Sequence, residues 1–225
     1  MRRGVALAAL ALTALAACSD EELQYSEGAI LIPATLFDGL PLANEMARQW
    51  AENAYVVRLG GGFTVMNSQG EARNHTYHYN ARIGFSLRRL TVDLIGGIPW
   101  TSEQIVPSLD PQFVNFAQFL DSDAAVAAAL RRADELNAAH PTGDSIPIPA
   151  IFAARLASVR VWPEPRPPTS PDSVAWRIDF LEEDIFETTR VPVYWSTARF
   201  YVQPRSGEML GHVVPPTGRE LYPWP

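Results

Sequence analysis

Short runs in which apolar and polar residues alternate constrain the fold of this chain more than any other feature. In the clearest run, Val174, Trp176, Ile178 and Phe180 are separated by single residues. Side chains of a strand point alternately to its two faces, so this spacing predicts a strand with one buried face. Three further runs have the same spacing: Tyr77 and Tyr79; Leu90, Val92 and Leu94; Phe200 and Val202. Together they predict an antiparallel sheet.

Two segments have instead the i, i+3, i+4, i+7 spacing of an amphipathic helix. The first begins after Asp38-Gly39, with Pro41 in its opening turn, where proline is favoured. The second begins after Asp121-Ser122-Asp123, residue types that cap helix N-termini. The predicted buried faces are Ala43, Met46, Ala47, Trp50, Ala51 and Ala54 in the first helix, and Val126, Ala129, Leu130, Ala133 and Leu136 in the second.

A helix followed by antiparallel strands thus occurs twice, which predicts an α+β fold. We expect two helix-on-antiparallel-sheet units, residues 38–110 and 111–214, related by a tandem duplication, followed by a proline-rich tail over 215–225. Gly60-Gly61-Gly62 predicts a break in the strand that begins at Tyr55, and the five prolines of residues 163–172 predict a loop. A single larger sheet with two helices on one face would give the same pattern.

The N-terminus has the features of an export signal. Arg2 and Arg3 precede residues 4–17, which carry no charge and are too few to cross a bilayer as a helix. Leu15-Ala16-Ala17-Cys18 resembles the lipobox of bacterial lipoproteins. The resemblance implies that residues 1–17 are a signal peptide, that Cys18 receives diacylglycerol, and that its new amino group is acylated, for example with palmitate. An ordinary secretory signal is the alternative.

This resemblance also implies a location in the cell envelope. Residues 18–37 would be a lipidated tether that holds the protein on a membrane. In such lipoproteins an aspartate directly after the cysteine favours the inner membrane, whereas here Ser19 follows Cys18. We therefore expect the periplasmic face of the outer membrane rather than the inner membrane.

The charge balance narrows the possible partners. The formal net charge is −7, and every basic residue is an arginine. Nucleic acid is an unsuitable partner for this balance, because binding to phosphates depends on clustered positive charge. Cys18 is the only cysteine, so the chain offers no internal disulfide and no pair of thiolates for a metal.

The second unit resembles the PepSY-like domains of secreted and membrane-attached bacterial proteins, which are similar to cystatins in architecture. The resemblance is carried by the alanine-rich residues 123–138, by Trp176-Arg177-Ile178-Asp179-Phe180, and by residues 200–210 with their Ser206-Gly207-Glu208 turn. Gln203 and Ser206 depart from the aspartate and threonine that are usual in that turn. The resemblance implies a non-catalytic module that takes part in peptidase inhibition or other interactions in the envelope.

Few residues have the spacing of a catalytic or metal site, and we predict no catalytic residues, no metal and no cofactor. His75 and His78 are three apart in a strand, so they point to opposite faces and are expected to be exposed strand and turn residues. His140 precedes Pro141 at a helix end, and His212 has no evident partner. An acidic run is expected to be a solvated loop: Glu182, Glu183, Asp184 and Glu187.

The favoured function is a lipid-anchored, non-catalytic binding module. Its expected partners are the membrane, through the lipid on Cys18, and an envelope protein or peptidase. A carrier or sensor of a small apolar ligand is one alternative. A hydrolase is another, with a site assembled from dispersed groups such as His75, His78, His212 and Asp179. Tyr222 and Trp224 lie in the tail and are the aromatic residues least explained by a core.

Overall fold

The computed structural model describes residues 33–113, 116–139, 145–158, 174–185, 192–215, 218 and 220–222, and of residues 62, 63 and 185 only the backbone. The expected signal peptide, Cys18, His140, Glu187 and the loop over 163–172 lie outside this range. No helix in the described part of the chain has the length and apolar character needed to cross a membrane.

The described residues form two α-helices and nine strands. The helices are α1 (Leu40–Trp50) and α2 (Ser122–Ala139), and a 3-10 turn (Phe116–Gln118) precedes α2. The strands are β1 (Tyr55–Met66), β2 (Asn74–Ile83), β3 (Ser86–Ile95), β4 (Ile98–Ile105), β5 (Ile151–Ser158), β6 (Val174–Ile185), β7 (Pro192–Val202), β8 (Met209–Val213) and β9 (Glu220–Leu221).

All nine strands belong to one antiparallel sheet, in the order β4-β3-β2-β1-β5-β6-β7-β8, with β9 paired to β7. The prediction of two helix-on-sheet units is therefore wrong. The first strands after each helix, β1 and β5, pair with each other, with Leu59 opposite Leu156 and Arg58 opposite Ala157. Alternation reveals a strand and its buried face but not its neighbours, so the sequence did not show that this pairing merges the two sets of strands.

The face of the sheet that carries both helices, called here the helix face, contains the main core. The alternating aromatic residues of the sequence all point to it, and Trp176, Tyr77, Tyr79, Phe180 and Phe200 are at most 1% exposed. Buried residues of α1 and α2 belong to the same continuous cluster, which has no boundary between the two sets of strands. Burial of each large side chain contributes about 1.5–3 kcal/mol relative to leaving it in water.

The last residues of the expected tether are part of this core. Leu36 is fully buried, its N–H donates to Ser122 Oγ (3.0 Å), and its carbonyl accepts from Tyr77 Oη (2.8 Å). Ser122 Oγ in turn donates to the Gly70 carbonyl (2.8 Å). A Cβ at Gly70 would lie 2.4 Å from the Asp123 backbone, so only glycine fits here. These contacts fix residues 34–37 between α2 and the sheet.

Among the described residues, the opposite face, called here the distal face, has two smaller apolar clusters. One comprises Ala157, Ala175 and Tyr201, with Leu210 and Val213 against them. The other comprises Ala153, Leu181 and Tyr222. Tyr222 is buried and its N–H donates to the Tyr194 carbonyl (2.8 Å), so this tail residue does belong to a core. Trp224 lies outside the described residues.

The triple glycine changes the register of β1 without ending the strand. The pairing of β1 with β5 shifts between Gly60 and Val65, and Gly60 and Gly61 have φ of 73° and 95°. A Cβ at Gly60 would lie 2.0 Å from the Ala154 carbonyl oxygen, so a larger residue would displace β5. The predicted break is thus an irregularity within one continuous strand.

Strand β4 was not predicted, because Gly96 and Gly97 directly precede it and Pro99 is its second residue. The two glycines form a two-residue hairpin between β3 and β4, with φ of 60° and 84°. Positive φ at both central residues is the requirement of the type I′ hairpin turn. Proline is tolerated next to it because β4 is an edge strand.

Candidate functional site

Charged residues on the distal face form the most unusual feature of the sheet. Arg58, Arg155, Arg177 and Arg199 lie on β1, β5, β6 and β7, which are adjacent strands. Arg155 is directly opposite Arg177 in the pairing of β5 with β6. Like charges opposite each other are destabilising unless other groups compensate them. The arginines belong to two clusters that are compensated to different extents.

The first cluster is centred on Asp179. It is called here the closed cluster, because carboxylates of the protein itself compensate its arginines. Arg177 donates from Nε to Asp179 Oδ2 (2.6 Å) and from Nη2 to Oδ1 (3.0 Å). Arg199 Nε (2.9 Å) and Ser196 Oγ (3.0 Å) also donate to Oδ1. Arg199 forms a second ion pair with Glu220 of β9. Asp179 is 2% exposed, so one buried carboxylate holds two guanidinium groups from neighbouring strands.

The ionisation state of this cluster follows from its geometry. Burial alone would raise the pKa of Asp179, but the guanidinium groups of Arg177 and Arg199 outweigh it and leave the pKa below its usual value. Burial would lower the pKa of Arg199, and the carboxylates of Asp179 and Glu220 raise it above its usual value. Asp179 is therefore ionised at neutral pH and has no proton to donate to a reaction.

The second cluster surrounds His78. It is called here the open cluster, because only one of its arginines, Arg89, has a described carboxylate partner. Arg89 donates from Nη2 to Asp110 Oδ2 (2.7 Å) and from Nε to Asn80 Oδ1 (3.1 Å). Arg58 Nε and Asn80 Nδ2 are buried and have no hydrogen-bond partner. The amide of Asn80 is near the hydroxyl of Tyr55 without reaching hydrogen-bond geometry, and it counteracts part of the rise that burial causes in the Tyr55 pKa.

The pKa values of this cluster reflect its burial and its excess of positive charge. Burial, together with the neighbouring guanidinium groups of Arg155 and Arg89, lowers the pKa of Arg58 to about 10. Burial and the positive charges of Arg58, Arg89 and Arg155 lower the pKa of His78 to about 3. His78 Nδ1 lies 3.1 Å from Thr91 Oγ1. The imidazole is therefore neutral at physiological pH and adds no further positive charge.

The structure does not bring together the three histidines that it describes, His75, His78 and His212. His75 lies on the helix face, where its Nε2 is 3.0 Å from the Ala34 carbonyl, whereas His78 lies on the distal face. His75 is 1% exposed, so the expectation of an exposed histidine is wrong there. His212 is exposed on β8 and stacks on Phe200. Among the described residues no three His, Cys, Asp or Glu side chains are arranged to hold a metal ion.

The acidic run is a strand end rather than a loop. Glu182, Glu183 and Asp184 belong to β6 and are exposed. Glu182 and Glu183 contribute to a shallow surface pocket of about 440 Å³, together with Pro147, Pro149 and Leu181.

The free edge of the sheet is a second candidate site. In the described part of the chain β4 pairs only with β3. The Val106 N–H donates to the Leu87 carbonyl, so the backbone groups of even-numbered residues point to β3. Those of Thr101, Glu103 and Ile105 therefore point outward, and Pro99 occupies an outward position that offers no N–H. Residues 100–105 are all exposed.

This edge also carries exposed apolar side chains. Trp100 is 61% exposed and Ile105 is 74% exposed. Ile98 and Ile95, also exposed, lie opposite each other beside Trp100 on the distal face. Single exposed apolar residues are ordinary, but several on one unpaired edge strand are typical of an interaction site.

Most residues of both candidate sites were missed in the sequence, which singled out only His78 and Asp179 among them. Alternation drew attention to the buried residues of each strand, whereas the site residues are those between them. Arg177 and Asp179 alternate with Trp176, Ile178 and Phe180, a charge pattern that indicates a second face with its own polar contacts. The proximity of Arg58 and Arg155 depends on the pairing of β1 with β5, which had no signal in the sequence.

Comparison of the chain with protein families, with curated proteins and with solved structures found no match in any of the three.

Proposed function

We propose that this protein is a lipid-anchored, non-catalytic binding module of the bacterial cell envelope that binds an extended segment of another envelope protein along β4. The anchor is the lipid on Cys18, and the location is the periplasmic face of the outer membrane. The observation that carries the proposal is the free edge of β4, with its outward backbone groups and exposed apolar side chains. The closed cluster around Asp179 and the dispersed histidines support a role without catalysis.

An extended peptide fits this edge for two reasons. The N–H groups and carbonyls of Thr101, Glu103 and Ile105 can form an antiparallel or parallel ladder with an added strand. The side chains of Trp100 and Ile105 then contact alternate residues of that strand on opposite faces of the sheet. In addition, Glu103 of β4 forms an ion pair with Arg88 of β3, so little net charge remains on the edge to repel an incoming chain.

The anchor is tested by changing its only cysteine. Cys18→Ala removes the thiol to which diacylglycerol is attached, so we expect the precursor to stay unlipidated and unprocessed by the lipoprotein signal peptidase. Metabolic labelling with a fatty acid and fractionation of membranes measure this. A Cys18→Ala protein that is still cleaved normally and recovered with the membranes would contradict lipid anchoring.

The edge is tested by removing one outward N–H. Thr101→Pro deletes a donor that β3 does not use, so we expect the fold to persist while the added strand loses a ladder bond and meets the proline ring. Thr101→Ala is the matched control, because it removes the same side chain and keeps the N–H. Binding is measured by photo-cross-linking in cells from a cross-linking amino acid at Trp100.

The expected result is a discrete adduct that Thr101→Pro decreases at least tenfold and Thr101→Ala leaves unchanged. A cross-linking amino acid at Arg131, exposed on α2, should give no such adduct. Equal adducts from Trp100 and Arg131, or adducts insensitive to Thr101→Pro, would show that β4 is not the binding edge.

A further inference from the structure

The open cluster on the distal face contains two buried donors without an acceptor. Arg58 Nε and Asn80 Nδ2 have no hydrogen-bond partner, and Asn80 is fully buried. Arg58 lies opposite His78 in the pairing of β1 with β2, and Asn80 is two residues further along β2 on the same face. Diagonal neighbours of this kind are about 7–8 Å apart at Cα, within reach of one small group placed between their side chains.

The charges around these donors are also unbalanced. The guanidinium groups of Arg58, Arg89 and Arg155 surround the neutral His78, and Asp110 is the carboxylate that pairs with one of them, Arg89. The Arg155 guanidinium lies over the backbone of Gly61, where a Cβ would be 2.7 Å from Nε. The glycine thus leaves space for a positive charge beside Arg58.

The neighbouring closed cluster shows which kind of group satisfies two arginines on this face. Arg177 and Arg199 lie on the same face and share the carboxylate of Asp179, which accepts four hydrogen bonds from them and Ser196. Arg58 and Arg155 are likewise two arginines on adjacent strands, β1 and β5, of the same face. No described carboxylate is hydrogen-bonded to either of them. A planar guanidinium fork and a primary amide together match the oxygen atoms of a carboxylate or phosphate.

We infer that the distal face binds an oxyanion, a carboxylate or phosphate group of a small molecule, between Arg58, Asn80 and Arg155. The ligand oxygens accept hydrogen bonds from Arg58 Nε and Asn80 Nδ2, and its charge offsets that of the three arginines around His78. His78, Arg58 and Arg155 are each partly exposed, so the cluster borders the solvent, and these side chains have to move aside for a ligand to reach the two buried donors. The site does not involve β4 and is independent of binding at that edge.

The test uses nuclear magnetic resonance of the purified protein with inorganic phosphate and with acetate, each compared with sodium chloride at equal ionic strength. We expect one of the two anions to shift the side-chain amide resonances of Asn80 saturably at neutral pH, where both anions are charged. The anion that binds more tightly identifies the ligand group as phosphate or carboxylate. Arg58→Gln should weaken this binding at least tenfold, while Arg131→Gln on α2 should leave it unchanged.

A second variant keeps the test decisive if Arg58→Gln does not fold. Asn80→Asp supplies a carboxylate next to Arg58 and Arg89, so we expect it to raise the melting temperature in buffer without added anion and to abolish phosphate or acetate binding. The proposal would be overturned if neither phosphate nor acetate changed the Asn80 resonances more than sodium chloride does. Undiminished binding by Asn80→Asp or Arg58→Gln would do the same.

Discussion

Replacing Asp179 with alanine is expected to lower the free energy of unfolding by about 3–5 kcal/mol. The substitution removes the carboxylate that accepts hydrogen bonds from Arg177, Arg199 and Ser196, all of them buried. Both guanidinium groups would remain away from water, with Glu220 alone left as a charged partner of Arg199. The cost arises mainly from these uncompensated charges and not from the lost attraction itself.

Urea denaturation followed by circular dichroism measures this change. Asp179→Asn should also be strongly destabilising, because it keeps the shape and loses the charge. Glu183→Ala is the matched control, since Glu183 lies on the same strand and is exposed, and it should change stability by less than about 0.5 kcal/mol. A change as small as this for Asp179→Ala would mean that water or other groups compensate the two arginines.

The same carboxylate makes stability depend on pH. Its pKa is lower in the folded protein than in the unfolded chain, so between the two values the unfolded chain binds more protons and stability rises with pH. The contribution is fully present above the unfolded pKa, about 3.9, and is lost as pH falls through the folded pKa. The difference in stability between the parent and Asp179→Ala should therefore be constant near neutrality and shrink below about pH 4.

Trp176→Ala is expected to cost a similar amount, about 3–5 kcal/mol. The indole is fully buried on the helix face and lies 6.5 Å from Phe37, measured between ring centroids. Its Nε1 donates to the Leu120 carbonyl (3.0 Å), just before α2. The substitution leaves a large cavity and removes the donor of this hydrogen bond, so the start of α2 loses a contact with β6.

Trp176→Phe separates the two effects, because it fills most of the space and still removes the N–H. We expect its cost to be clearly smaller than that of Trp176→Ala, and thermal or urea unfolding measures both. An alanine variant that loses less than about 1 kcal/mol would show that the neighbouring side chains collapse into the cavity.

The sequence was informative about secondary structure on the helix face. Alternation placed Trp176, Ile178 and Phe180 on one buried face, and the structure has them there. Periodicity likewise located α1 and α2, because their buried residues recur on one side of each helix. The sheet order was not accessible, because Leu59 and Leu156, which pair in its centre, are separated by a long stretch of chain and would suit several other partners equally well.

The candidate sites were less accessible for a related reason. Arg58 and Asn80 are ordinary polar residues in the sequence, and only the sheet places their unpartnered donors on the same face. Strand β4 escaped detection because Gly97 and Pro99 mark a turn and because its exposed residues do not alternate in polarity. A polar face and an edge strand both depend on neighbouring strands, whereas a buried face can be recognised within a single strand.

The pairing of β1 with β5 has a consequence for the rate of folding. Hairpins such as that of β2 and β3 connect residues close in the chain, and their contacts can form early. The central pair instead joins strands almost a hundred residues apart, with β2, β3, β4 and α2 between them in the chain. Closing so long a loop costs entropy before any contact compensates it, which slows folding in proteins rich in such distant contacts. The two outer groups of strands therefore join into one sheet only when β1 pairs with β5. Until that pairing forms, β1 and β5 are themselves exposed edges.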